Sequence, residues 1–410
     1  MRRIEAWVGK PCCGALTLLR KIGRHIGRGR DRQRAPKKIL FIKLVEQGST
    51  VLAYGALSRA AKMVGRENLF FWVFEENREI LDLVNVIPRE NVLVIRSSGF
   101  GVFFLDVMRT LFKIRHLHVD ATVDMEFFAR APAILAFLTG APNRVGHHRF
   151  SSEGPYRGDL LTHRIQYNPY LHVAKQYAMM VESLLAPPDE IPMPKCVPPQ
   201  TEPLPCFRPS KGEVAQVQAM LDHVAGRRVG APMVVLNQNA SDMLPLRRWP
   251  AERFVALAKE ILSFQPDANI VMTGAPSEQS AVAETARAIG SAQVVNVAGR
   301  TSLRELLVLF SIADILVTND SGPSHFSTMT PIRTVTLFGP ETPALYGPLG
   351  KKAHVVWKGL ACSPCVNVFN HRFSCCRDNL CMTSISVAQV FEVVRDLLLS
   401  STQGAFSRMP

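Results

Sequence analysis

Several signatures are missing from this chain of 410 residues, and each absence narrows the reading. No uninterrupted apolar run approaches the roughly 20 residues needed to cross a bilayer, so a soluble or peripheral protein is expected. No export signal with a small-residue cleavage site precedes the cysteines. The expectation is therefore a reducing cytoplasm, with the nine cysteines mostly free thiols. Gly-x-x-x-x-Gly-Lys-Ser/Thr does not occur, which removes the phosphate-cradling loop of an ATPase. The turn after the first apolar run holds a single glycine, Gly48, too few for a nicotinamide-dinucleotide fingerprint. There is no Asp-x-Asp to suggest a diphosphate held through a metal. Residues 1–38 are almost free of acids.

What is present begins with size and charge. A chain this long exceeds the size at which one core keeps growing, so two domains are expected. Apolar residues make up 47%, enough for two real cores. The formal net charge of +14 favours acidic partners. Nucleic acid is not expected among them, because no recognisable module interleaves aromatic and basic residues. An anionic lipid surface and phosphorylated substrates both fit, and composition does not choose between them. Basic residues crowd the start of the chain (Arg2, Arg3, Lys10, Arg20, Lys21, Arg24, Arg28, Arg30, Arg32, Arg34, Lys37, Lys38), and Leu18, Leu19, Ile22 and Ile26 recur at helical spacing among them. Such a segment suits a helix lying on an anionic membrane or a disordered basic tail, and its glycines weaken the helix.

Past residue 36 short apolar runs alternate with helical patterns. Residues 38–44 read as a buried parallel strand, followed by the turn Glu46 to Ser49 and a helix over 51–63. Runs at 69–74, 91–95 and 121–128 continue the alternation, which predicts a parallel sheet covered by helices. Asp124 and Glu126 are two apart and, in a strand, would share one face. They would bind hydroxyls or accept a proton, or else form a polar strand end paired with Arg130. Residues 143–149 read as a polar, basic loop whose Arg144 and His147 suit sugar hydroxyls or phosphate. Nine prolines between Pro187 and Pro209 forbid regular structure and mark a linker. Beyond it the pattern restarts, with strands near 233–237, 269–274, 292–297, 315–317 and a final one at 334–338.

The second half gathers polar residues at strand ends and in the loops after them: Asn239, Ser241, Arg247, Glu278, Asp320, Ser321 and His325. Arginine and hydroxyl donors suit a diphosphate, and a carboxylate such as Glu278 suits ribose hydroxyls. The elbow Asp320-Ser321-Gly322-Pro323-Ser324-His325 reads as strand, loop, helix, where free N–H groups attract anions. An ordinary capped turn is the plain alternative. Cys362-x-x-Cys365, with Cys375, Cys376 and Cys381 behind it, has spacing that suits a structural zinc site, although free thiols fit as well and no metal ligand is assigned.

This elbow, the Arg247-Arg248-Trp249-Pro250 segment and the Gly-containing turn at 46–49 together resemble glycosyltransferase family 9, the heptosyltransferase family of lipopolysaccharide core assembly. The likeness runs from about Lys37 to Val390. It implies an α/β chain of GT-B fold, two Rossmann-like domains with parallel sheets facing across a cleft. The expected division is a basic extension over 1–36, an acceptor domain over 37–186, a linker over 187–212, a nucleotide-sugar domain with the cysteines over 213–390, and a helix and tail over 391–410. The resemblance further implies inverting, metal-independent transfer without a cofactor, from an ADP-heptose-like donor to a lipid-linked glycan, at the inner face of the cytoplasmic membrane. It places Arg247 where the family has a lysine near the phosphates, and Asp320, Ser321, Gly322 and His325 in the donor pocket; by their own chemistry Asn239, Ser241, Glu278 and Pro323 join the donor side and Gly48, Asp124, Glu126, Arg144 and His147 the acceptor side. Family members typically carry Gly-Asp in the first turn, where the aspartate is the base; here the pair is Gly48-Ser49. A serine of ordinary pKa does not deprotonate a sugar hydroxyl unaided. Glu46, in the same turn, is the candidate replacement beside Ser49, with Asp124 or Glu126 behind it. The alternative is a relative that binds a sugar-nucleotide or glycan without turnover.

Overall fold

The computed structural model describes residues 2–25, 35–152, 154–188, 190–242, 244–370 and 372–406. Ile26, Arg28, Arg30, Arg32 and Arg34 of the basic segment lie outside them, as do the side chains of Arg2, Arg3 and Arg24. The chain forms two compact units. One comprises Met1–Pro203 with Val368–Arg372, the other Leu204–Asn367 with Phe373–Pro410. The division falls inside the proline-dense stretch.

The first unit runs α1 (Arg2–His25), β1 (Ile39–Ile42), α2 (Gln47–Leu52), α3 (Tyr54–Val64), β2 (Leu69–Phe74), α4 (Glu79–Val84), β3 (Val92–Ile95), α5 (Phe100–His116), β4 (Ala121–Asp124), α6 (Arg130–Leu138), β5 (Asn143–His147), β6 (His163–Ile165) and α7 (Val173–Glu182). Its sheet is parallel throughout, in the order β3-β2-β1-β4-β5-β6. Each residue of β1 is fully buried, which explains why that strand reads as an unbroken apolar run rather than an alternation. Leu40 and Ile42 pack on one face with Val107, Leu111 and Ile114 of α5 and Leu135 and Ala136 of α6. α1 packs outside α6 through Cys13 and Leu16 against Ala133, Ile134 and Phe137. Thus the basic segment is helical over Arg2–His25, in spite of Gly9, Pro11, Gly14 and Gly23.

The second unit runs α8 (Lys211–Ala225), β7 (Met233–Asn237), α9 (Ala251–Phe264), β8 (Asn269–Met272), α10 (Gln279–Ile289), β9 (Val294–Asn296), α11 (Leu303–Ile312), β10 (Ile315–Asn319), α12 (Gly322–Phe326), β11 (Arg333–Phe338), α13 (Pro343–Tyr346), β12 (Ala353–Trp357), α14 (Leu380–Thr383) and α15 (Val387–Phe406). Its order, β12-β11-β10-β7-β8-β9, repeats that of the first unit strand for strand. Both are the doubly wound Rossmann order, in which the direction of winding reverses beside the first strand. In the second unit Trp249, Phe254, Leu257 and Ile261 fill the space between sheet and helices, with Val390 and Val394 of α15 beside them.

Three strands differ from expectation. Residues 143–147 form a buried strand instead of an exposed loop, and β6 and β12 carry no apolar run long enough to announce them. Strand β5 tolerates its arginine because Arg144 donates through Nε to the Leu160 carbonyl at 2.8 Å and through its guanidinium to the Ala141 carbonyl. A buried donor that finds a backbone acceptor avoids the cost of desolvation. Among the described residues no helix is long and apolar enough to cross a membrane.

Candidate active site

In a doubly wound sheet ligands bind at the carboxyl ends of the strands, where the winding reverses. In the first unit that point lies between β1 and β4, with Ile42 in register with Asp124. The chain leaves β1 at Lys43, whose side chain is fully buried. Its ammonium lies 3.3 Å from Glu126 and 3.5 Å from Glu46, and it donates to the Val45 carbonyl at 2.8 Å. Burial lowers the Lys43 pKa, opposed by Glu126. Glu126 also accepts the backbone N–H groups of Leu44 and Val45 at 2.8 and 3.1 Å, so it ties the end of β4 to the turn after β1.

Glu46 closes that turn at φ 70°, a left-handed conformation that a non-glycine residue rarely adopts and that stores roughly 1–3 kcal/mol of strain. The surroundings hold it there. Its carboxylate accepts the Ser49 hydroxyl at 2.9 Å, faces Lys43, and pairs with Arg372. Arg372 arrives from late in the chain, on the segment Val368–Arg372 that packs with the first unit, where the Phe369 ring lies tilted against Phe128 and edge-on to Tyr167. Ser49 therefore acts as a donor to Glu46, and Glu46 is the carboxylate around which the turn is arranged.

Asp124 is fully buried and pairs with Arg157, not with Arg130; the Arg130 guanidinium donates instead to the Tyr156 carbonyl. Burial pushes the Asp124 carboxyl up, and Arg157 recovers part of the shift, leaving it at about 7. Through its other oxygen Asp124 accepts the Glu126 N–H at 3.0 Å. Strand β4 ends at Asp124, so Glu126 belongs to the following turn, and the two carboxylates do not share a strand face. His147 is buried among Phe127, Phe128 and Tyr167, and neither ring nitrogen has a hydrogen-bond partner among the described residues. Burial, then Arg157, lowers its pKa to about 3. The structure thus brings Glu46, Gly48, Ser49 and Glu126 together, with Asp124 one hydrogen bond behind. Arg144 is engaged with carbonyls beside β5, and His147 lies in the aromatic cluster.

In the second unit the reversal lies between β7 and β10. The side chain of Asn319, last residue of β10, accepts the Trp249 N–H at 3.0 Å and donates to the Gln238 carbonyl at 2.7 Å. Trp249, 1% exposed, also donates its indole N–H to Ile385. These anchors explain why Arg-Trp-Pro and the elbow occur together: they set Arg247 against the elbow, 3.4 Å from the Asp320 carboxylate and 3.3 Å from Glu341. Burial opposes the charge on Arg247, but Asp320 and Glu341 outweigh it and raise its pKa. Burial raises both carboxyls against the pull of Arg247, Glu341 to about 8. Ser321 turns back to the Asn319 carbonyl at 3.1 Å, and Gly322–Phe326 is a single short turn of helix. At Gly322 an added Cβ would meet the Phe326 ring at 2.9 Å. His325 is buried beneath the elbow. Glu278 caps its own turn, accepting the Ala275 N–H at 2.7 Å, and Asn239 lies near Gly274.

The nine cysteines are free thiols. Burial, then Cys365, Cys376 and Cys362, pushes the Cys381 thiol up to about 11. Among the described residues no three His, Cys, Asp or Glu side chains are arranged to hold a metal ion. Lys43, Arg157, Glu341 and Arg372 were not singled out from the sequence. Two of them had a signal. Lys43 directly follows β1, and Glu341 follows the Gly339-Pro340 turn at the end of β11, both strand ends of the kind that bind ligands.

Two Rossmann-like sheets, each with charged side chains collected where its winding reverses, define the GT-B class. The chain belongs to glycosyltransferase family 9 (heptosyltransferase), whose model matches residues 111–372. It is similar to the lipooligosaccharide heptosyltransferase 2 of Campylobacter jejuni, 29% identical over 178 residues, 42% of this chain and 53% of the relative. It is similar to the lipopolysaccharide heptosyltransferase 2 of Salmonella typhimurium, 32% identical over 115 residues, 27% of this chain and 32% of the relative. The matches thus span about half or less of those relatives' length. The solved structure of ADP-heptose lipopolysaccharide heptosyltransferase II from E. coli shares the fold with a TM-score of 0.65 and 20% identity, over 89% of this chain and 99% of that one.

Proposed function

We propose that the protein is an inverting, metal-independent glycosyltransferase that passes heptose from ADP-heptose, or a close sugar-nucleotide, to a lipopolysaccharide-core type of acceptor. The observation that carries this reading is Glu46, a carboxylate held in a left-handed turn at the carboxyl end of β1 by Ser49, Lys43 and Arg372. Glu46 takes the proton from an acceptor hydroxyl, and that oxygen attacks the anomeric carbon from the side opposite the diphosphate. The bond to the diphosphate breaks, and the nucleotide leaves with the electron pair and the negative charge. Arg247 supplies positive charge toward the leaving group, in the role a metal fills elsewhere. Glu126 and Asp124 position the Glu46 turn. In the second unit, Asn239, Ser241, Ser321, Gly322, Pro323 and His325 complete the donor side, and Glu278 would bind ribose hydroxyls if it leaves its cap.

Work on a lipid-linked acceptor places the protein at the inner face of the cytoplasmic membrane, and α1, with Lys10, Lys21 and His25 exposed and no acid between residues 7 and 25, suits contact with anionic lipid. The second reading, binding without turnover, is favoured by one observation, Ser49 in the place of the family aspartate. A transfer assay with ADP-heptose and heptose-deficient lipopolysaccharide decides between them. Turnover selects the enzyme, and donor binding without turnover selects the binding relative.

A further inference from the structure

Helix α5 covers one face of the first unit's sheet with Val107, Leu111 and Ile114, yet it is apolar on its outer face as well. Phe100, Phe104, Leu105, Met108 and Phe112 are 76%, 57%, 45%, 36% and 58% exposed. At about 100° per residue they form one stripe along the helix. Exposed Leu or Phe residues scattered singly need no explanation, whereas a continuous stripe marks an interaction surface.

The charges beside the stripe have one sign. Arg109, Lys113, Arg115 and His116 are exposed on α5, and the helix has one acid, Asp106. Asp106 is turned inward, bound by Arg96 at 2.8 and 2.9 Å. A second copy of the chain docking on this face about a two-fold axis would bring the cations of one helix against those of the other, a repulsive arrangement. An apolar stripe flanked by cations matches the acyl and headgroup layers of an anionic bilayer. α1 lies on the same side of the sheet, packed outside α6, with Trp7, Val8, Leu18, Leu19 and Ile22 exposed. We propose that the outer face of α5 inserts into the surface of an anionic membrane, as a docking element separate from the basic segment at the start of the chain. This deepens the membrane side of the proposed function and rests on that reading for its purpose; it is tested by binding alone, so the two fail separately.

The test is flotation of the full chain with vesicles of phosphatidylcholine and phosphatidylglycerol at about three to one, against pure phosphatidylcholine. Wild type should float with the anionic vesicles and much less with the neutral ones. Phe104→Ser with Phe112→Ser should weaken binding about tenfold per residue, with an unchanged circular dichroism spectrum and melt, since both side chains are already exposed. Arg109→Glu with Lys113→Glu should weaken it about fivefold or more per residue, and added salt should act in the same direction. Leu18→Ser with Leu19→Ser separates the contribution of α1. Binding unchanged in both α5 variants would overturn the proposal. So would a wild type that ignores the vesicles and forms a dimer that the Phe104→Ser, Phe112→Ser variant dissociates.

Discussion

Replacing Arg247 by methionine removes the cation that opposes the burial of two carboxyls. Asp320 and Glu341 are 4% and 2% exposed, and the Arg247 guanidinium lies 3.4 and 3.3 Å from them. Glu341, at about 8, is already largely protonated at neutral pH, so most of the cost falls on Asp320. Without Arg247 a buried Asp320 stays folded by taking up a proton instead of carrying an uncompensated charge. An ordinary aspartate has a pKa near 3.8. Holding it protonated costs about 1.4 kcal/mol for each pH unit above that value. Burial already raises Asp320 in the wild type, so the variant should lose about 3 kcal/mol at pH 7, the cost of breaking a buried pair, and less at pH 5. The sign follows from proton uptake: the folded variant binds a proton that the unfolded chain has released, so its stability is present below pH 4 and falls as the pH rises. Urea denaturation of wild type and Arg247→Met at the two pH values, followed by tryptophan fluorescence, measures the difference. A loss that is equal at pH 5 and pH 7, or below about 1 kcal/mol at pH 7, would refute the reasoning.

Lys43→Met keeps the length of the buried side chain and removes the cation that Glu46 and Glu126 share, so the transfer rate should fall about tenfold or more, and an unchanged rate would separate Lys43 from the base. His147→Phe replaces a ring that stays neutral to about pH 3 in the folded protein, whereas an unfolded histidine takes its proton near 6.5. Wild-type stability is thus drawn down as the pH falls below 6.5, and the variant should lose about 2 kcal/mol less between pH 7 and pH 5. Equal acid sensitivity in denaturation curves would contradict the buried, neutral state of His147.

The β–α alternation was legible wherever a strand is buried on both faces and built of aliphatic or aromatic residues, as at residues 39–42, 69–74 and 315–317. It was not legible at β5, because Asn143, Arg144 and His147 are individually polar and only the folded chain supplies the carbonyls of Ala141 and Leu160 and the aromatic rings that let them be buried. Of the site, the elbow was legible as strand, loop and helix, while the turn at Glu46 to Ser49 and the pairing of Arg-Trp-Pro with the elbow gained their meaning from the resemblance to the family. What joins them is nonlocal. Lys43 looks like an ordinary basic strand end until Glu126, from the turn after β4, is placed beside it. Arg372 comes from more than 300 positions further along the chain, and Arg157 reaches Asp124 from beyond β5. No spacing rule brings such partners together; the order of the strands does.

The central claim is that Glu46 is the base, and the most direct measurement is the transfer rate of Glu46→Gln, with ADP-heptose binding followed by thermal shift in the same preparation. The glutamine keeps the shape of the side chain but cannot accept the proton. The expected result is a rate lowered by about 10²–10⁴-fold, with donor-induced stabilisation retained. A near-normal rate in the variant would contradict the account and remove Glu46 from the mechanism.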